Sequence, residues 1–143
     1  MTAKEVSSTL QQHKDWINNP KGNGKRGDLR GADLRNVNFE AADLRFMDFR
    51  AAELSGAILT KAGCRHADFR GANMTKAVCI GTLFSNARLE GANLYGVDMR
   101  TAVMDYAQVA GANLSASYDK MLNHYADRGA GPKEKSQDRD IER

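Results

Sequence analysis

The stretch GDLRGADLRNVNFEAADLRFMDFR, residues 27–50, repeats itself every five residues. Its large apolar members, Leu29, Leu34, Phe39, Leu44 and Phe49, open a series that runs on through Leu54, Leu59, Cys64, Phe69, Met74, Cys79, Phe84, Leu89, Leu94, Met99, Met104 and Val109 to Leu114. All eighteen are apolar, and no insertion or deletion breaks the count. Two residues before each lies a second column, with Ala at thirteen of its eighteen positions; Gly27, Val37, Met47, Thr82 and Val97 are the exceptions. The position before the large residue favours Asp or Asn, the one after it favours Arg, and the next is often Gly, as at 31, 56, 71, 81, 91, 96 and 111. Helices repeat at about 3.6 residues and strands at about 2, so a period of five needs an architecture of its own.

Composition points the same way. Apolar residues make up 41% of the 143, but aromatics only 7%, which is thin material for a globular core. Thirteen Gly against two Pro suit many similar turns rather than many different loops. The net charge of +3 sits in residues 1–26, with five Lys/Arg and two Asp/Glu, whereas residues 27–116 hold ten of each. No apolar run is long enough to span a bilayer, the first residues lack the apolar segment of a secretory signal, and two cysteines make no disulfide framework. The expectation is a cytoplasmic protein of one domain.

The units GADLR (31–35), GANMT (71–75) and GANLY (91–95) resemble the A(D/N)LXX unit of the pentapeptide-repeat family, and the likeness covers residues 25–116. The resemblance implies an all-β fold, a right-handed quadrilateral β-helix in which four pentapeptides make one square coil. Eighteen units then give about 4.5 coils, roughly 22 Å of rod at a spacing of about 4.8 Å. In such a rod the large residues and the Ala column point inward, and positions twenty apart share a side.

An open solenoid end exposes unpaired backbone, so the flanks read as covers. Thr2 and Glu5 have capping-box spacing, and Val6, Leu10, His13 and Ile17 fall on one helical face that should end before Pro20. Residues 1–24 are thus a capping helix with its linker. The pattern of Leu10, His13, Lys14 and Trp16 resembles leaders of bacterial and prophage members of the family. Tyr118, Met121, Leu122 and Tyr125 are spaced as the apolar face of a second helix, residues 117–129, that would cap the rod or pair with a second copy as a homodimer. Residues 130–143 have the composition of a disordered tail.

No chemistry-bearing constellation stands out. Cys64 and Cys79 belong to the inward column, where thiols behave as small hydrophobes, and their spacing is not that of a zinc site. His13, His66 and His124 lie in three separate contexts, without a nucleophile or carboxylate arranged for catalysis. The glycines recur as corners rather than as a phosphate loop. The expectation is no enzyme, no cofactor and no metal.

The surface carries more. Arg30, Arg50 and Arg70 stack on one side beside Asp28, Asp48 and Asp68, a lattice of exposed ion pairs. On the third and fourth sides Ile58, Val78, Ile80, Leu83 and Val103 replace the polar residues of the pattern, with Phe46 and Tyr106 in an adjoining corner column. These seven form the candidate partner surface of a protein-binding scaffold. The alternative, carried by the resemblance, is a DNA mimic that regulates or protects DNA gyrase, but such a mimic should be strongly acidic. Lys21, Lys25 and Arg26 with the arginine column are too closely matched by carboxylates to favour nucleic acid.

Overall fold

In a computed structural model the chain is described from residue 1 to residue 117. The helix expected at Tyr118, Met121, Leu122 and Tyr125, and the segment 130–143, lie outside the described residues. One helix, α1 (Ala3–Asn18), precedes a β-solenoid. Every rung of the solenoid pairs in parallel with the rung twenty residues on, from Asp28 with Asp48 to Asn93 with Asn113. The backbone bonds follow one rule: Leu29 N–H donates to Asp48 C=O at 2.8 Å, and Asp48 N–H donates to Gly27 C=O at 3.1 Å. Four pentapeptides complete each step of twenty, so the rod has four sides.

Each side ends in a tight turn, closed by bonds such as Ala32 N–H to Leu29 C=O at 3.1 Å. The residue after the arginine column must then take a left-handed conformation, and at every fifth position from Gly31 to Ala116 φ lies between 57° and 72°. Glycine does this freely. Yet Phe46, Lys61, His66, Lys76, Asn86, Thr101 and Tyr106 do it too, each at some cost, because the inter-coil bonds fix the backbone whatever the side chain.

Inside, the large column is sealed along most of the rod: Leu29, Leu34, Leu44, Phe49, Leu54, Leu59, Phe69 and Phe84 have no exposed surface, while Val109 near the far end is only partly buried. Phe49 and Phe69, one coil apart on the same side, stack at 4.8 Å and 5°, and Phe39 and Phe84 meet them edge-on. Three of the five exceptions in the Ala column have local reasons. The Thr82 hydroxyl donates to Leu59 C=O at 2.7 Å, so a buried polar atom is satisfied. Gly27 lies one coil below Met47, and a Cβ at Gly27 would collide with the Met47 methyl. The thioether fills the space that the glycine leaves empty.

Helix α1 packs on the first coil. Thr2 caps it, its hydroxyl accepting from Glu5 N–H at 3.1 Å while Glu5 Oε1 accepts from Thr2 N–H at 2.6 Å. Val6 is buried with Leu10 beside it, and Lys25 N–H donates to Gln12 C=O at 3.1 Å. His13 is 1% exposed, and its Nδ1 accepts from Gly27 N–H at 2.8 Å. That bond requires a neutral ring with the proton on Nε2. Burial accordingly pushes the His13 pKa below its usual 6.5, against the opposing pull of the Arg45 backbone and the Asp43 charge.

Two outcomes follow. Gly27→Ala should cost about 1–3 kcal/mol by overpacking and Met47→Ala about 2–5 kcal/mol by leaving a cavity. The double variant restores the Ala-over-Ala stack of the remaining rod, so urea unfolding should find it more stable than the sum of the singles predicts. Strict additivity would refute the compensation. For His13 the unfolded chain binds the proton more readily, so the stability this ring contributes is complete above pH 6.5 and declines as pH falls through that value. Melting temperatures at pH 7.5 and pH 5 should therefore differ more in the wild type than in His13→Asn, which keeps an acceptor but does not titrate; parallel curves would rule the idea out.

Candidate binding surfaces

The preference for Asp or Asn before the large residue has a structural cause. The side-chain oxygen accepts the backbone N–H two residues on, as in Asp28 with Arg30 (3.2 Å), Asn38 with Glu40 (2.9 Å), Asn73 with Thr75 (3.1 Å) and Asn93 with Tyr95 (3.0 Å). Where Arg follows Asp, its guanidinium folds back as a fork: Arg35 Nε and Nη2 reach Asp33 at 2.8 and 2.7 Å. The hydrogen bonds from Arg35 hold Asp33 down to about 2. Asp48 is 4% exposed; burial pushes its carboxyl up, but the Arg50 fork outweighs this and keeps it below the usual range.

On the first side these forks stack in register, with weaker diagonals from Arg30 to Asp48 (3.7 Å) and from Arg50 to Asp68 (3.8 Å). The order then reverses. Arg88 stands above Asp68, and Glu90 follows where Arg would be, with Arg88 Nη2 on Glu90 Oε2 at 2.8 Å. Opposite charges now face each other between coils in place of like ones.

The five aliphatic residues proposed as a partner surface come together on two adjoining sides. Ile58 pairs with Val78 on one side, and Leu83 with Val103 on the next. Ile80 stands just before the corner at Gly81, and all five are partly exposed. None of these side chains can accept the N–H that Asp and Asn accept elsewhere, so each of Ile58, Val78, Leu83 and Val103 forgoes a bond worth about 0.5–1.5 kcal/mol.

Phe46 and Tyr106 stand in the corner column that follows the fourth side, 41% and 53% exposed. The structure adds two residues that sequence reasoning left unconnected. His66 occupies the same column and stacks on Phe46 at 5.0 Å and 3°, while Trp16 of α1 meets Phe46 edge-on at 6.2 Å. Reading the corner column in steps of twenty (Phe46, His66, Asn86, Tyr106) exposes the ladder, apart from Trp16.

Cys64 and Cys79 are buried free thiols. Burial pushes Cys79 up to about 12 and Cys64 well above its ordinary value, so neither is a nucleophile in the folded chain. Among the described residues no group of His, Cys, Asp and Glu is arranged to hold a metal, and no helix is long and apolar enough to cross a membrane.

With this geometry established, comparison places the chain among known proteins. The family model for pentapeptide repeats matches in eight copies, over residues 28–62, 38–75, 64–88 and 82–117. HetL, a pentapeptide repeat protein involved in the regulation of heterocyst differentiation in the cyanobacterium Nostoc sp. strain PCC 7120, superposes with a TM-score of 0.62. It shares 30% identity, over 64% of this chain and 42% of its own length. This chain therefore spans less than half of HetL. A pentapeptide repeat protein from the thylakoid lumen of Arabidopsis thaliana superposes with a TM-score of 0.64 at 24% identity, over 76% of this chain and 80% of its own, a likeness of fold alone. QnrB1, a plasmid-mediated fluoroquinolone resistance protein, shares 26% identity over 64% of this chain and 48% of its own, but its TM-score of 0.33 is too low to argue from. No curated protein matches the sequence. With one repeat model matching from residue 28 to 117 and parallel rungs pairing at every step of twenty, the chain belongs to the pentapeptide repeat family.

Proposed function

We propose that the chain is a non-enzymatic binding module whose rigid β-solenoid presents Ile58, Val78, Ile80, Leu83 and Val103 to a protein partner. One observation carries this reading: four of these five residues replace an Asp or Asn whose side chain would otherwise cap a backbone N–H, so the apolar surface is kept at the expense of local bonds. The change falls on two adjoining sides, at Ile58 and Val78 on one and at Leu83 and Val103 on the next, and the two sides meet on the coil where Val78 and Ile80 lead through Gly81 to Leu83. A backbone fixed by inter-coil bonds loses little freedom on binding, which favours association through a flat contact. Helix α1 serves as the lid of the first coil.

The alternative of a DNA-mimicking gyrase regulator is weaker. Residues 27–116 carry ten basic and ten acidic residues, and the Arg–Asp forks neutralise the carboxylates that a mimic would display.

The test is affinity capture from the native cell, read by mass spectrometry, with the wild type beside Val78→Asp/Ile80→Asp. Asp at 78 regains the capping bond, so the melting temperature should hold within a few degrees. A partner retained by the wild type should fall at least tenfold on the variant. Equal retention on both would remove this surface as the binding site, and a wild-type effect on gyrase supercoiling at micromolar protein would favour the alternative.

A further inference from the structure

Along the corner that follows the fourth side, ring stacks on ring until Asn86. Phe46 and His66, one coil apart, lie parallel at 5.0 Å, and Tyr106 stands two coils beyond His66. Coils rise about 4.8 Å, so the His66 and Tyr106 positions are roughly 9.6 Å apart, with only the short carboxamide of Asn86 between them. Stacked aromatics sit about 4.5–7 Å apart, so the gap holds one ring in contact with both neighbours. The gap is a real notch of about 340 Å³, open to solvent and lined by His66, Asn86, Arg88, Glu90, Tyr106 and Gln108. Its polar wall is neutral, because Arg88 is paired with Glu90 at 2.8 Å. Glu90 Oε1 is buried behind this wall and has no hydrogen-bond partner among the described residues.

We infer that this notch receives the side chain of a tryptophan or tyrosine from a protein partner, which completes the ladder as its missing rung. His66 and Tyr106 bound the guest on either side, and Gln108 and Asn86 offer acceptors to its indole N–H or phenol O–H. The outer edge stays uncovered, which suits a ring carried on a larger molecule better than a free ligand. A nucleobase would bring phosphate to a wall without net positive charge and is disfavoured. The inference rests on the protein-binding reading but uses the corner between the fourth side and the first, where Tyr106 stands, and none of the five aliphatic residues lines the notch.

The test uses the full chain and N-acetyltryptophanamide as probe, followed by amide and side-chain NMR. Saturable shifts should be confined to Asn86, His66, Tyr106, Gln108 and their neighbours. Asn86→Phe should abolish them by filling the rung in cis. This variant should fold, since Phe46 and Tyr106 hold the same left-handed conformation in that column at φ 67° and 62° against 62° for Asn86. His66→Ala, which removes one wall, should weaken the probe roughly three- to tenfold. Val78→Asp/Ile80→Asp should bind it like the wild type, so the notch and the patch can fail separately. Absence of saturable shifts in the wild type, equal binding by Asn86→Phe, or tighter binding of AMP than of the probe would each overturn the proposal.

Discussion

Everything in this molecule depends on the coil spacing. Parallel pairing at a step of twenty places each residue directly over its counterpart, at a rise of about 4.8 Å, and the inter-coil bonds recur at 2.7–3.2 Å along the described rod. A narrow lumen then admits one large apolar side chain per rung, with Ala beside it. The turn residue must turn left, and the residue before the large one must cap a spare N–H. The five columns of the sequence are five answers to this single constraint.

Stacking also governs the charges. Like groups one coil apart repel, and on the first side Asp28, Asp48 and Asp68 would do so, as would Arg30, Arg50 and Arg70, were each carboxylate not forked by its own arginine. The reversal to Arg88 and Glu90 handles the same repulsion differently, by setting opposite charges one above the other. Exposed pairs of this kind contribute little stability each. Their effect is to neutralise a surface that could have been strongly acidic or basic, and this narrows the partners that the rod can attract.

Much of this was legible in the sequence because the period is rigid. Counting by fives places Leu29 to Leu114 inside, and counting by twenties sorts the outward residues onto sides, including Ile58 with Val78 and Leu83 with Val103. What escaped involves contacts that the period does not encode. Met47 fills the space of Gly27 by the reach of a flexible thioether, so the two irregularities cancel in space while each looks like noise in its own repeat. His13 reaches Gly27 from a helix with no fixed register to the rod, and Trp16 joins the corner ladder in the same way. The left-handed backbone at Thr101 or Lys61 contradicts local preference, and the coil bonds impose it nonetheless.

The division of labour between inside and outside bears on function. In a globular domain a surface substitution is hard to interpret, since packing, turns and helix propensity all constrain it. Here the lumen and the inter-coil bonds specify the fold almost alone, and outward positions are constrained chiefly by the capping bond. A departure from Asp or Asn thus has a defined local cost, set against the contact that the replacement makes with its neighbour one coil away. Ile58, Val78, Leu83 and Val103 incur that cost four times on two adjoining sides. Departures from Asp or Asn also occur on the other two sides, at Glu53, Arg88 and Gln108, but the aliphatic ones fall on two adjoining sides alone, and the proposed partner surface rests on that confinement.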